Sequence, residues 1–205
     1  METATGELVA LIAPVILFSF TMTATPGPNN MMLTASGANF GFKRTLPHIM
    51  GVMLGCVGLM TAVALGLGSL FTAWPMLQTG LKMVGSAYLL WLAWKIATAA
   101  PPSKNSAEQG QPMSVLQAAA FQFANPKAWV MAISGVASFT LAGDGFLLSA
   151  ALLISLMALV TIPAISIWAG FGVAVGRLLK TARHWRLFNL SMGGLTAACV
   201  ALILV

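Results

Sequence analysis

Charge is what this chain has least of. Lys and Arg number 10 and Asp and Glu four, so charged residues make up 7% of 205, against about a quarter in an ordinary soluble domain. So few charges cannot furnish a water-facing shell, which excludes a soluble globular domain. The acidic residues Glu2, Glu7, Glu108 and Asp144 fall at the extremities or in loops. No carboxylate pair therefore sits within an apolar segment, and neither HExxH nor GxSxG occurs, so no enzyme is expected. Cysteine is limited to Cys56 and Cys199, each inside an apolar run and without CxxC spacing; both read as small core residues. Histidine is limited to His48 and His184, far apart, so no metal site is signalled. No cofactor motif is present. The net charge of +6 comes from basic residues scattered at the ends of apolar runs, with neither a basic groove nor interleaved aromatics, so nucleic acid is not an expected partner.

What the chain does have is apolar length. Its hydrophobic fraction is 59% and its mean hydropathy +0.91, the composition of a protein whose solvent is a bilayer. At roughly 20 apolar residues per spanning helix there is room for about six, in one domain covering residues 1–205. The expected spans are 8–25, 46–71, 76–98, 114–142, 146–175 and 188–205. The first carries acidic residues and no Lys or Arg before Leu8, unlike a cleaved signal peptide, and is read as a retained helix. The fourth and fifth exceed a simple span, which predicts tilt or a break at Pro126 and Pro163. The stretch APPSKNSAEQGQP within 100–113 is the one polar linker. It predicts a mobile loop between a first half, about 1–99, and a second, about 114–205.

Lys and Arg alternate by connection. Lys43 and Arg44 lie in the first, Lys95 and Lys104 at the third, and Arg177, Lys180, Arg183 and Arg186 in the fifth, while the second and fourth have none. The positive-inside rule then puts these loops in the cytoplasm and both termini outside. With three spans in each half, any repeat is inverted. PNNMMLTASG from Pro28 and PKAWVMAISG from Pro126 both run from a proline to Ser-Gly, ending at Gly37 and Gly135. The expectation is an all-α polytopic fold of six transmembrane helices in two inverted three-helix repeats.

Paired proline-interrupted segments at corresponding places in inverted halves point to a transporter substrate site. A broken helix there offers free N–H and C=O groups to a charged solute; two harmless kinks are the plainer alternative. The candidates for that site are Pro26, Gly27, Pro28, Asn29 and Asn30 at the first break, and Gln122, Asn125, Pro126, Lys127 and Trp129 at the second. Amides are costly in lipid unless hydrogen-bonded, which favours a polar cavity for the Asn side chains. An ammonium within an apolar segment faces a cavity or a partner, or else snorkels to an interface. Lys127 is thus a candidate for pairing with a substrate carboxylate and for proton coupling. His48, at the mouth of the second span, is the other proton-coupling candidate because imidazole exchanges protons near neutral pH; an interfacial histidine among polar neighbours is the bland alternative. Gly51, Gly55 and Gly58, then Gly66 and Gly68, predict close helix packing. Trp91 and Trp94, near Lys95, predict an interfacial belt.

TPGPNN closing the first span, GFKRTLPHIMGVMLG leading into the second, GSAYLLWLAWKIA in the third and FANPKAW in the fourth resemble the LysE/RhtB family of amino-acid exporters over nearly the whole chain. The third-span run and TPGPNN are most similar to the cysteine and O-acetylserine exporter branch. The resemblance implies a six-helix protein of the bacterial inner membrane that exports small, neutral amino acids, driven by the proton gradient. Its partners would be the amino acid, protons and lipid, with self-association into a homo-oligomer left open. Its motif carries over to Pro26, Gly27, Pro28, Asn29, Asn125, Pro126 and Lys127. Many relatives place an acidic residue where this chain has Asn29, so no carboxylate relay operates from that position. Two rival readings stay open, a membrane thiol relay enzyme and a metal-cation exporter of the same superfamily. Against the first, Cys56 and Cys199 are not expected to adjoin the breaks.

Overall fold

The computed structural model describes residues 2–68, 73–100 and 110–201. Most of the expected linker, Lys104 included, lies outside them, as does the C-terminal residue Val205. Within the described residues there are eight α-helices and no strand. They are α1 (Glu2–Ala24), α2 (Pro28–Phe40), α3 (Phe42–Ala62), α4 (Pro75–Ala97), α5 (Val115–Ala124), α6 (Pro126–Phe139), α7 (Phe146–Leu178) and α8 (Ala182–Ala198). Three stretches are long and apolar enough to cross a membrane by length and composition, Gly6–Ala24, Phe42–Leu67 and Gly143–Leu178.

Both helix breaks fall at proline. α1 stops before Pro26, and α2 restarts with Pro28 in its first turn; α5 stops at Asn125, and α6 restarts with Pro126. Proline suits a first turn because its missing N–H has no partner there in any case. Pro163 behaves differently from expectation. α7 runs through it without interruption, because Ala164, Ile165 and Ala169 beside it are buried against neighbouring helices, and that packing outweighs one lost hydrogen bond.

A second correction concerns residues 28–40, which the hydropathy pattern leaves between the first two spans. They form α2, a helix of 13 residues buried along most of its length against α7 and α3. Its polar sequence is no obstacle, since a helix enclosed by protein bonds its amides internally and never meets lipid. Gly41 follows in the left-handed region, φ +80°, which a side chain would resist. That residue turns the chain directly into α3, where the Thr45 N–H donates to the Gly41 carbonyl at 3.2 Å. The last helix starts at Ala182 rather than near 188, so Arg183 and Arg186 ride on its first turns.

Glycine sets the helix spacing. A Cβ on Gly37 would strike the Ala169 carbonyl of α7, and one on Gly172 of α7 would strike the Thr34 carbonyl of α2. Gly51 and Gly55 meet the backbone of α5 at Val115 and Ala119, as their spacing predicts. Lipid offers no hydrophobic drive for helix association, so such backbone approach and interhelical hydrogen bonds hold the bundle. The Asn39–Asn189 amide pair, at 2.9 and 3.3 Å, ties α2 to α8.

Candidate functional site

A helix that stops inside an apolar bundle leaves its last carbonyls without partners. At the end of α1, side chains from three other helices supply them. Asn30 of α2 donates to the Thr23 carbonyl at 2.9 Å and to that of Thr25 at 2.7 Å. Trp168 of α7 donates its indole N–H to the Ala24 carbonyl at 2.9 Å. Lys127 of α6 donates to the Thr25 carbonyl at 2.7 Å, to the Thr25 hydroxyl at 2.8 Å and to the Pro26 carbonyl at 3.3 Å. A cation placed there also meets the negative end of the helix dipole. The second break therefore caps the first, and the half-buried Lys127 bonds to carbonyls and a hydroxyl of the first break.

The room for Lys127 comes from Gly27. A Cβ at that position would lie 3.0 Å from Cδ of Lys127 and 3.3 Å from Nζ. On the other side of the break Asn125 accepts from the Lys127 N–H at 3.2 Å and so caps α6. α2 has no such cap: Gly27 brings no side chain to its N-terminus, which leaves a positive dipole end with amide N–H groups exposed to the break.

The two breaks are also joined by amides. Nδ2 of Asn29 donates to Oε1 of Gln122 at 2.8 Å, and Nε2 of Gln122 donates back to Oδ1 of Asn29 at 3.2 Å. Gln122 is fully buried, and its Nε2 also donates to the Ala118 carbonyl at 2.9 Å. Gly27, Pro28, Asn29, Asn30, Gln122, Asn125 and Lys127 line one cavity of about 30 Å³, with Met22, Val52 and Met131 as apolar wall.

Three expected site residues stand outside that lining. Pro26 contributes its carbonyl to Lys127, and Pro126 shapes the first turn of α6. Trp129 is buried in the core, its indole donating to the Phe123 carbonyl at 2.8 Å, so it supports the break from behind instead of walling the cavity. Cys56 requires the opposite correction. It lines the same cavity, with Sγ 3.8 Å from Oε1 of Gln122, because positions 52 and 56 of α3 present one face to the break. Cys199, just after α8, is buried in a cluster with Met32, Leu89 and Phe121 and is not part of the cavity lining.

His48 lies elsewhere. It is 1% exposed, and it borders a second cavity of about 330 Å³ between the C-terminal parts of α2 and α4 and the start of α5. Trp91 is half-exposed with Lys95 over its ring at 4.6 Å, and Trp94 is exposed, as a belt at that end of the bundle requires. Among the described residues no group of His, Cys, Asp and Glu could hold a metal ion.

The chain is 34% identical over 135 residues to a cysteine/O-acetylserine efflux protein of Shigella flexneri serotype 5b, a stretch covering 63% of this chain and 68% of that one. A protein of the same description from Escherichia coli K12 is 35% identical over 117 residues, 57% of this chain and 59% of its own length. No solved structure matches. The family model of the LysE type translocator matches residues 20–205, from the last turns of α1 through both breaks to the end of the chain. This chain belongs to the LysE type translocator family, whose members are multi-pass proteins of the inner membrane.

Proposed function

We propose that the chain is a secondary active exporter of small, neutral amino acids, driven by the proton gradient and working by alternating access. The observation that carries this reading is the meeting of the two breaks, where Lys127 of one caps the carbonyl end of the other. Family membership and the efflux role named for its relatives support the direction and solute class. Each half has the same succession of elements, a broken helix followed by two further ones. That order fits two inverted three-helix repeats with both termini outside, rocking against each other around the break.

The break offers a zwitterion both polarities. The uncapped N-terminus of α2 and the Lys127 ammonium would take a carboxylate; the amide oxygens of Asn29 and Asn125 and the carbonyls of Thr25 and Pro26 would take an ammonium. The cavity at the break is small, about 30 Å³, and it would widen to admit an amino acid when the halves part. Their parting would release Lys127 from Thr25 and free it for the substrate. Proton coupling needs a group inside the bundle that changes charge, and Lys127 and His48 are the candidates.

The test is efflux from right-side-out and inverted vesicles across a panel of amino acids, with and without a proton gradient. Saturable transport of small neutral amino acids that collapses with the gradient is expected. Gradient-independent movement, or transport of cations only, would overturn the reading.

A further inference from the structure

Cations crowd one place in this chain. Arg177, Lys180, Arg183 and Arg186, four of its 10 Lys and Arg, surround the turn from α7 to α8, with His184 among them. All five are exposed, and among the described residues no hydrogen bond or ion pair engages any of their side chains. No acidic residue follows Asp144 in the sequence, and α7, 33 residues long, holds Asp144 about 50 Å from the junction. The cluster also works against its own helix. Arg183 and Arg186 stand on the first turns of α8, where the helix dipole is positive, and like charges three residues apart repel. Orientation in the membrane calls for basic residues on this side, but it does not call for them on the positive end of a helix.

Packing gathers further cations to the same end of the bundle. A Cβ on Gly176 would lie 2.9 Å from the Ala38 carbonyl, which puts the end of α7 beside the end of α2 and the turn that leads to Lys43 and Arg44. Asn189 of α8 pairs with Asn39 and donates to the Ala99 carbonyl at 3.0 Å, which brings α8 against the end of α4, where Lys95 stands. Beside the cations of the junction the surface is apolar: Leu178 is 73% exposed and Leu187 54%. α7 belongs to a stretch long and apolar enough to cross a membrane, so leucines at its end meet acyl chains. Unpaired cations next to exposed leucines at the membrane boundary complement a molecule with an anionic head and apolar tails.

We propose that the α7–α8 junction is a binding site for an anionic phospholipid. The lipid phosphate lies at the start of α8 among Arg177, Lys180, Arg183 and Arg186, whose guanidinium forks match its oxygens. The acyl chains run along Leu178 and Leu187. A bound anion offsets the repulsion between Arg183 and Arg186 and complements the helix dipole, so the lipid steadies the turn that joins the last two helices. A zwitterionic lipid carries its own cation beside the phosphate and gains less from the site. This inference goes beyond the exporter reading and does not rest on it.

The experiment uses the purified full-length chain in a nonionic detergent. Dioleoylphosphatidylglycerol is titrated in, with dioleoylphosphatidylcholine, which has the same acyl chains, as the control. Thermal unfolding followed by tryptophan fluorescence reads the binding, since a ligand of the folded state raises Tm. A saturable rise in Tm is expected with the anionic lipid, clearly larger than with the zwitterionic one and weakened in about 0.5 M NaCl by screening. Arg183→Gln combined with Arg186→Gln should raise the half-saturating lipid content about tenfold or more, because two cations near the headgroup are lost. Arg177→Gln combined with Lys180→Gln should do the same, so the assignment does not depend on one variant folding. Each variant is compared with itself in the two lipids, which removes any loss of stability common to both. Lys82→Gln, on the first half of α4, should leave the titration unchanged. An equal response to the two lipids would overturn the site. A titration unchanged in both double variants would place the lipid elsewhere and overturn it too. A rise reproduced by glycerophosphate at the same concentrations would assign the cations to a soluble phosphate and overturn lipid binding.

Discussion

Nζ of Lys127 lies 2.7 Å from the carbonyl oxygen of Thr25 and 2.8 Å from its hydroxyl, although 102 residues separate the two in sequence. The contact joins the N-terminus of α6 to the C-terminus of α1, and it is the only place where a charged side chain closes one break from the other among the bonds described. Burying part of an ammonium is costly, and carbonyl dipoles at a helix C-terminus offset the cost. Anything that draws the ammonium away reopens the end of α1, so the same bond that stabilises the closed arrangement can be exchanged for a substrate carboxylate.

Lys127→Met removes the charge and keeps much of the length. Export should fall by at least about a hundredfold while the protein still inserts, because two or three hydrogen bonds to a charged donor, each worth about 1.5–3 kcal/mol, are lost from the break. Lys104→Met, in the linker, should change export less than twofold. Vesicle efflux scaled to membrane-inserted protein measures both, and normal export by Lys127→Met would defeat the site assignment.

Gly27 tests the same contact without touching the charge. Its backbone is extended, φ 177°, which any residue adopts, so only the space beside Lys127 is at issue. A methyl at 3.0 Å from Cδ of Lys127 asks the flexible chain to shift by a few tenths of an ångström, and a branched side chain asks for more. Gly27→Ala should lower export several-fold and Gly27→Val should nearly abolish it, with expression unchanged. Equal activity in all three proteins would show that Lys127 need not sit where it does.

The reciprocal amide pair of Asn29 and Gln122 predicts non-additivity. Replacing either residue by Ala leaves the other amide partly unsatisfied, at about 1–3 kcal/mol, whereas replacing both removes the mismatch. In thermal unfolding in detergent, the double variant should lose clearly less stability than the sum of the two single losses. Strict additivity would mean that the pair contributes no coupling.

The thiols discriminate transport from a redox relay. Cys56 lines the break, but its one described polar contact is a weak 3.8 Å approach to Gln122. Changing Cys56 and Cys199 together to Ala should therefore keep export within about threefold. Electron transfer to an external thiol acceptor by the wild type, lost in the double variant, would favour the relay enzyme instead.

Part of this site was legible in the sequence and part was not, for reasons that differ residue by residue. The break at Pro126 was legible because proline interrupts an apolar run too long for one simple span. The meeting of the breaks was anticipated from their corresponding places in the two halves, but the Asn29–Gln122 pairing was not, since nothing local marks a bond across 93 residues. Pro163 carries the same local signal as Pro126 without a break, because burial of its neighbours decides the outcome. α2 was missed as a helix of the bundle because hydropathy reports contact with lipid, and this segment touches protein. Cys56 was set apart from the breaks by sequence distance, while the helical repeat of α3 brings it there. His48 follows Lys43 and Arg44 closely in sequence, and nothing local marks that it is 1% exposed.

The arrangement of charges makes the last prediction. Lys43 and Arg44 open α3, Lys95 closes α4, and Arg177 closes α7, with Arg183 and Arg186 on the first turns of α8. The α7–α8 junction is therefore short and strongly basic, the feature that resists translocation most effectively. Six spans with an inverted repeat require this junction and the linker to share the cytoplasmic side, and both termini to lie outside. Reporter fusions near Ser103 and after Arg183 should be cytoplasmic, and a fusion at Val205 should be external. Cysteines introduced at Lys43 and Arg183 should react with a membrane-impermeant maleimide in inverted vesicles and not in right-side-out ones. A cytoplasmic Val205 would break the six-span arrangement and the repeat with it. The Lys127–Thr25 bond would survive that result, because it is a contact between two helix ends and depends on their proximity, not on the number of crossings that brought them together.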